Sequence, residues 1–164
     1  MANELKTAVD SIREYLSTLR FKKAVAAEDV NSIKVVVADL GLPLKQADSI
    51  DVELLNTSKA NTVAKFLAAK YESLADEARE DLLDVTAKLD PEVRAKLVQD
   101  GVKVTEAVVS NAIRCETKHQ SAKENETRLA ELARILKGLS LSMEMRFRAL
   151  EQVSNNERAD RRDT

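Results

Sequence analysis

The sequence is poor in the residues that form turns, cross-links and metal sites. Its 164 residues include one cysteine, one histidine, three glycines and two prolines. The single Cys115 cannot form an intramolecular disulfide, and no second cysteine is present to build a zinc site with His119. We therefore expect a protein of a reducing compartment that carries no metal and no other cofactor.

Aromatic residues are also scarce, at 3% of the sequence, whereas apolar residues make up 44% and charged residues 33%. Together with so little glycine and proline, this composition is typical of long helices with large polar surfaces rather than of sheets. The run Val35-Val36-Val37 is the only strand-like segment, and it lies within a helical spacing, so we interpret it as helix. The sequence therefore predicts an all-α fold, in the form of an elongated domain with long antiparallel helices.

Long hydrophobic runs and a dominant charge are absent as well. No apolar run approaches the roughly 20 residues that cross a bilayer, and the polar residues after Met1 do not resemble a signal peptide. We expect a soluble, cytoplasmic protein without a membrane partner. The formal net charge of −2 differs from the strongly basic balance of a general DNA-binding protein, so any basic surface must be local.

No enzyme motif is recognisable in the sequence. It has no glycine-rich phosphate loop, no nucleophile elbow and no pair of histidines at ligand spacing. The carboxylates fall on predicted solvated helix faces, and His119 and Cys115 are most simply explained as surface residues. We therefore predict that the protein is not an enzyme and has no catalytic residue.

The first 45 residues are predicted to form a helical pair. Apolar residues return at helical spacing from about Glu4 to the mid-twenties, and a second helix is predicted from Asp29, as its N-cap, to Gly41. Residues 1–45 are therefore expected to be an N-terminal segment that precedes a helical core over residues 46–155.

The predicted core begins with a small helix around residues 49–55 and continues with a long helix. Ser58 or Asn61 is expected to open the long helix, which carries an apolar stripe and ends near Lys88. The polar face between residues 72 and 92 is acidic. We interpret it as a solubilising face or as a contact for a basic partner.

Two further helices are predicted after that point. Asp90 and Pro91 fit an N-cap followed by proline at the first helical position, and Gly101 closes the short helix that they begin. Thr105 can then cap the final helix with its hydroxyl. Because no glycine or proline interrupts its polar middle, we predict a continuous final helix to about residue 155 and a disordered tail over residues 156–164.

A regular apolar seam occupies this final helix. Its positions alternate in steps of three and four residues, the stagger that keeps one helix face against a partner helix. They are Leu129, Leu132, Leu136, Leu139, Met143, Arg146, Leu150 and Val153. We predict a coiled-coil-like oligomerisation helix that uses Leu132, Leu136, Leu139, Met143, Arg146 and Leu150. The pattern leaves open whether the partner helix belongs to the same chain, to a second copy or to another protein.

Two clusters place an aromatic ring among cations, Arg20-Phe21-Lys22-Lys23 and Arg146-Phe147-Arg148. A single-strand binder uses cations for phosphates and aromatic faces for bases. The alternative is that both rings are core residues and the cations form a solvated rim.

The helix start Lys103-Val104-Thr105-Glu106-Ala107 is followed by Ile113, by a polar gap and by the heptad helix. In this order and separation, these elements resemble the UvsY-like recombination mediators of phages. The resemblance covers about residues 56–155 and includes an upstream helix with Tyr71 and a face of mixed charge. Within the heptad helix it rests on Leu132, Leu136, Leu139, Ser142, Arg146 and Leu150.

The resemblance implies an oligomeric helical protein that binds single-stranded DNA, contacts the single-strand-binding protein that covers it and helps to load a recombinase. A phage-encoded mediator acts in the cytoplasm of its bacterial host. Such a function works by differential binding and needs no catalytic residue. Self-association could multiply one weak basic patch and raise the avidity for DNA. The slight net acidity of the chain departs from this picture.

Candidate DNA-binding cations lie around Gly101 and on the first turns of the final helix, where basic side chains and a helix N-terminus could meet phosphates together. These candidates are Arg94, Lys96, Lys103, Arg114 and Lys118, with Arg20, Lys22 and Lys23 as a second group.

Two other functions remain open. A structural or scaffold protein would share the seam but would show no salt-dependent DNA binding. A small phage inhibitor or regulator would bind a host protein through the acidic face between residues 72 and 92, and reversal of those charges would abolish its activity.

Overall fold

A computed structural model describes residues 25–40 and 50–160 of the chain. Helices account for 93% of the described residues, which contain no β-strand, so the predicted all-α fold is confirmed. The four helices of the described residues are α1 (Ala27–Leu40), α2 (Ile50–Gln99), α3 (Glu106–Cys115) and α4 (Thr117–Asp160). None of these helices combines the length and the hydrophobicity that crossing a bilayer requires.

Helix α1 confirms the interpretation of the β-branched run as helix. Val36 and Val37 are buried within it, together with Ile33 and Leu40. Asp29 is not its N-cap, because the helix begins two residues earlier, at Ala27. The predicted first helix, at about residues 4–24, lies outside the described residues, so the expected N-terminal segment stays a prediction.

Helix α2 is a single helix of 50 residues, so two predicted helix boundaries within it are wrong. It starts at Ile50 without a separate small helix, and it continues through Pro91 instead of ending near Lys88. Proline removes one backbone N–H from the helix. Leu89 and Val93, four residues apart on either side of that proline, are both buried in one apolar cluster. This packing stabilises the helix on both sides of Pro91.

The final helix is divided, which corrects the prediction of continuity. Thr105 does cap α3, because its hydroxyl accepts a hydrogen bond from the N–H of Val108. At Glu116 the backbone is extended, with φ −68° and ψ 132°, and α4 starts at the next residue. The Gln120 side chain donates to the carbonyl of Arg114 at 3.3 Å and so satisfies one orphan acceptor of the α3 end.

Helix α4 extends to Asp160, so residues 156–160 of the predicted disordered tail are helical. The remaining four residues lie outside the described part of the chain. Residues 117–128, which are almost entirely polar, also belong to this helix. Its ion pairs at the start, between Lys123 and Glu126 and between Arg128 and Glu124, are of the kind that supports a solvated helix.

The chain forms two compact units. The first unit contains α1, the part of α2 up to Lys70 and the part of α4 from Leu132. Within it, Arg158 pairs with Asp51 and Glu144 pairs with Lys65, so residue numbers rise along α2 as they fall along α4. The two helices are therefore antiparallel in this unit, as predicted.

Both ends of α1 are fixed to α2 in the first unit by polar contacts. Near its start, Asp29 accepts a hydrogen bond from the ammonium group of Lys70 at 2.7 Å. Near its end, Asp39 accepts one from the hydroxyl of Thr57 at 3.1 Å. These two contacts also make α1 antiparallel to α2. The hydrogen bond to Asp29 holds the pKa of Lys70 above its usual value.

The second unit, Tyr71–Glu131, contains a helical hairpin made of the end of α2 and of α3. A small apolar cluster joins the two helices. Its buried members are Leu89 and Val93 from α2 and Val109 and Ile113 from α3, and Val85, Leu97, Val104 and Ala112 pack against them.

The predicted closure at Gly101 forms the turn of this hairpin. Gly101 has φ +70°, a left-handed conformation that disfavours any residue with a Cβ atom. Its N–H donates to the carbonyl of Val98 at 3.2 Å, and the N–H of Val102 donates to the carbonyl of Leu97 at 3.0 Å. This pair of bonds is a Schellman motif, which satisfies the carbonyls at the end of α2.

Substitution Gly101→Ala should destabilise the protein by about 1–2 kcal/mol, because a Cβ atom is strained in the left-handed region. Gly138→Ala is the matched control, since Gly138 lies inside α4 and an added Cβ would have no atom within 4 Å apart from the neighbouring backbone of its own helix. The control should stabilise the protein by up to about 1 kcal/mol through helix propensity. Urea unfolding followed by circular dichroism measures both, and equal effects of the two substitutions would contradict the turn assignment.

Candidate nucleic-acid interface

Four of the predicted DNA-binding cations are exposed in the second unit, three of them on the hairpin and Lys118 on the first turn of α4. Lys96 and Lys103 lie on either side of the Gly101 turn, and Arg114 and Lys118 lie where α3 meets α4. Within the described residues, none of these four side chains has an ion pair. The ten residues of α3 separate the two pairs of cations by about 15 Å.

Arg94, the fifth predicted cation of this group, has a structural task in the hairpin. Its Nε donates to Asp90 at 2.7 Å, and its Nη2 donates to Glu106 at 2.7 Å. The contact to Asp90 is within α2, whereas the contact to Glu106 fixes the start of α3 to α2. With both carboxylates engaged, Arg94 has less charge to offer a phosphate than its four neighbours have.

The contact between Arg94 and Glu106 shifts the pKa of both of these groups. The hydrogen bonds that Arg94 donates to Glu106 and to Asp90, in that order of importance, raise the pKa of Arg94 further above its already high value. The hydrogen bond from Arg94 holds the pKa of Glu106 below its usual value. Glu106 lies on the first turn of α3, so its negative charge also interacts favourably with the positive end of the helix dipole.

A cleft of about 300 Å³ opens beside the hairpin, in the second unit. Its lining combines buried apolar side chains with two carboxylates, two hydroxyls, one guanidinium and one imidazole. The lining residues are Thr86, Asp90, Glu106, Val109, Ser110, Ile113, Arg114 and His119. The sequence predicts that His119 is a surface residue, but in the structure it is half-buried and lines this cleft. Thr86 and Ser110 carry no sequence signal of a site, because hydroxyls are common on helix faces.

The second cluster of cations around an aromatic ring does not form a binding patch. Arg146 is buried, and Arg148 is exposed and paired with Glu144 at 2.5 Å. Phe147 is half-buried, which agrees with the alternative that this ring is a packing residue. The first cluster, which contributed Arg20, Lys22 and Lys23, lies outside the described residues.

The predicted oligomerisation seam is buried inside the single chain. The exposed fractions of its six members range from 0% to 8%; these members are Leu132, Leu136, Leu139, Met143, Arg146 and Leu150. Two folded copies cannot dock through side chains that are already covered. An assembly through this seam would require an exchange of helices between copies, so the assignment of these residues to oligomerisation stays a prediction.

Arg146, the charged member of the seam, connects three helices of the first unit. Its Nη2 donates to Glu53 of α2 at 2.7 Å, and its Nε lies 3.5 Å from Asp39 of α1. The side chains of Arg146 and Glu53 are only 7% and 8% exposed. Thr57, which is fully buried, donates to the same Asp39. The charge in the seam is therefore satisfied within the chain.

Comparison with protein-family models, with curated proteins and with solved structures finds no match to this chain. The description of the protein therefore rests on the fold and on the geometry within each of the two units. They define an all-α protein with one buried ionic cluster in the first unit and one cation-bearing hairpin in the second.

Substitution Arg146→Met should cost about 3–5 kcal/mol in the free energy of unfolding, because it leaves buried carboxylates without their cation. Arg148→Met is the matched control, since that side chain is 73% exposed in its ion pair with Glu144. Its cost should be within about 1 kcal/mol. Chemical unfolding of both variants measures the difference. Equal costs would show that the buried cluster does not stabilise the fold.

Substitution Glu106→Gln should lower the unfolding midpoint at pH 7 and have little effect at pH 3. The folded-state pKa of Glu106 is lowered, so its stabilising contribution is present above the unfolded-state pKa and is lost as the pH falls through the folded-state value. Glu92→Gln is the control, because Glu92 is exposed and has no ion pair within the described residues. Thermal unfolding at the two pH values tests this, and an unchanged difference between the variants would contradict the Arg94 contact.

Proposed function

We propose that this chain is a recombination mediator that binds single-stranded DNA through the hairpin of its second unit. The observation that carries the proposal is the set of four exposed cations without an ion pair in the described residues. These cations are Lys96, Lys103, Arg114 and Lys118. Phosphates dominate the affinity of proteins for nucleic acids, and unpaired lysine and arginine side chains are the groups that bind them.

The start of α3 adds a second attraction for phosphate. Thr105 caps this helix and orders its first turn, where backbone N–H groups carry partial positive charge. Lys103 lies just before that turn and is exposed. A phosphate near Lys103 therefore meets a side-chain cation and a helix N-terminus together, while Arg94 offsets the charge of Glu106 on the same turn. Arg114 and Lys118 provide a second contact about 15 Å away, at the other end of α3.

A mediator acts by binding and needs no chemical step. It stabilises a conformation of single-stranded DNA that a recombinase captures and that the covering single-strand-binding protein does not. Support for this role comes from the resemblance to UvsY-like mediators, which covers the hairpin and most of α4. In this proposal the partners are single-stranded DNA, a recombinase, a single-strand-binding protein and further copies of the chain.

Self-association is a separate part of the proposal. Several copies would present several weak cation patches to one strand and raise the avidity without new contacts. Because the seam is buried within the chain, assembly through it would couple oligomer formation to a change of helix partners. Light scattering at increasing protein concentration determines whether a discrete oligomer exists.

A second candidate function uses the acidic part of α2. Six exposed carboxylates lie between residues 72 and 84, with Arg79 as the single cation of that stretch. They are Glu72, Asp76, Glu77, Glu80, Asp81 and Asp84. An inhibitor or regulator would use this surface to bind a basic protein. Reversal of these charges would then abolish its activity and leave any DNA binding in place.

The DNA-binding proposal predicts a salt-dependent affinity that depends on the four cations. Neutralising all four to glutamine should weaken binding of a single-stranded oligonucleotide. It should also reduce the slope of log affinity against log salt by up to about 3, since each phosphate contact contributes about 0.7. Fluorescence anisotropy at several salt concentrations measures both quantities.

The control neutralises four exposed cations of the first unit, which changes the net charge by the same amount. These are Lys34, Lys59, Arg134 and Lys137. This control variant should keep the slope of the unmodified protein if the hairpin is the binding surface. Equal losses in both variants would mean that only the total charge matters. Absence of binding by the unmodified protein at low salt would overturn the proposed function.

A further inference from the structure

The cleft of the second unit places Arg114 in one lining with polar groups that phosphate binding alone does not require. Val109 and Ile113 are its apolar lining residues, and because they are 1% and 4% exposed they present only a small apolar area. One end has the carboxylates of Asp90 and Glu106, which are held together because both bind Arg94. The other end has Arg114. Glu106 and Arg114 are eight residues apart on α3, so these two ends lie about 12 Å apart.

This distribution of groups matches the chemistry of one nucleotide. A guanidinium binds phosphate, and a carboxylate accepts a hydrogen bond from an exocyclic amino group. The imidazole of His119 adds a planar ring on which a base can stack. A volume of about 300 Å³ accommodates one pyrimidine nucleotide better than a longer segment.

We propose that this cleft binds a single cytosine nucleotide of the DNA strand, with its phosphate at Arg114 and its amino group at Asp90 and Glu106. The inference rests on the proposed function and extends it from phosphate binding to base preference. Carboxylates accept hydrogen bonds from the N4 amino group of cytosine. Thymine presents a carbonyl oxygen at the same position of its ring, and this oxygen is repelled by a carboxylate.

The contacts of Arg94 leave the carboxylates able to accept a further donor. An ionised carboxylate has about four lone-pair sites, and Arg94 makes two hydrogen bonds to Asp90 and two to Glu106. Arg94 also offsets one of the two negative charges that would otherwise repel a nucleotide. Arg94 therefore fixes the carboxylates of Asp90 and Glu106 at one end of the cleft and reduces the repulsion between that end and DNA.

The test uses the single histidine of the sequence as a reporter, because its imidazole proton signals are unambiguous in an NMR spectrum. The full-length protein is titrated at constant pH with deoxycytidine monophosphate, thymidine monophosphate and deoxyribose 5-phosphate. The cytosine nucleotide should shift the His119 signals in a saturable way. Its affinity should be at least about fivefold higher than that of the thymine nucleotide. Deoxyribose 5-phosphate should bind more weakly than the cytosine nucleotide.

Two variants locate the preference in the cleft. Glu106→Gln and Asp90→Asn replace an obligatory acceptor with an amide, which can donate to the thymine carbonyl, so each should reduce the preference for cytosine. Glu92→Gln is the control, since it removes the same charge from an exposed position outside the cleft lining. Unchanged helical circular dichroism establishes that each variant is folded, and because Asp90→Asn leaves Glu106 in place, it tests the cleft independently of the α3 contact.

The outcomes separate this inference from the proposed function. Equal affinities for the cytosine and thymine nucleotides, or no shift of the His119 signals, would overturn the cleft assignment even if oligonucleotides bind in a salt-dependent way. A preference for cytosine that is identical in Glu92→Gln and lost in both cleft variants would support it. If the unmodified protein does not bind oligonucleotides at low salt, the mediator proposal is overturned. The nucleotide titration would still show whether the cleft binds a single nucleotide.

Discussion

The first unit depends on one buried arginine. Arg146 of α4 binds Glu53 of α2 and lies beside Asp39 of α1, so one guanidinium fixes three helices. Burying charged groups is costly unless each of them is paired. A shift of α4 by one helical turn would move Arg146 away from both carboxylates and leave charges unpaired. The apolar side chains of the seam favour burial in several alignments, and the arginine selects one of them.

The second unit also contains an arginine that binds two carboxylates, but there the group is exposed to solvent. Arg94 also joins two carboxylates from two helices, but it lies at the surface, where water and salt weaken the attraction. There the apolar cluster around Val109 and Ile113 stabilises the hairpin, and Arg94 mainly sets where the start of α3 lies. Because Arg94, Asp90 and Glu106 lie at the surface, the two carboxylates can still accept hydrogen bonds from a ligand. The carboxylates around the buried Arg146 are not accessible in this way.

Local signals in the sequence predicted the features that depend on neighbouring residues. The cap at Thr105, the turn at Gly101 and the helical character of the Val35 run follow from side-chain chemistry within a few positions. The continuation of α2 through Pro91 and the interruption at Glu116 could not be predicted in this way. The first depends on the packing of Leu89 and Val93 against α3, and the second has no glycine or proline to mark it.

In the candidate interface, too, the features that depend on neighbouring residues could be predicted and those that depend on tertiary packing could not. Exposure of the four hairpin cations follows from the polar pattern of each helix, so the sequence could identify them individually. The engagement of Arg94 with Glu106 joins residues 12 positions apart and requires the hairpin itself. The cleft is less predictable still, because Thr86, Ser110 and His119 come from three different helices. Only the fold brings these three side chains to one place.

The slight net acidity of the chain is compatible with a surface that binds nucleic acid, because charges act locally in salt. In the second unit, Asp84 is the last of the six exposed carboxylates between residues 72 and 84, and Lys96 follows 12 residues later in the same helix. That spacing corresponds to about 18 Å along the axis. The screening length is about 8 Å at physiological ionic strength. A phosphate at the Gly101 turn therefore interacts with Lys96, Lys103 and the neighbouring Asp100 far more strongly than with the six carboxylates between residues 72 and 84, so these local groups, and not the net charge of −2, determine the field that it meets.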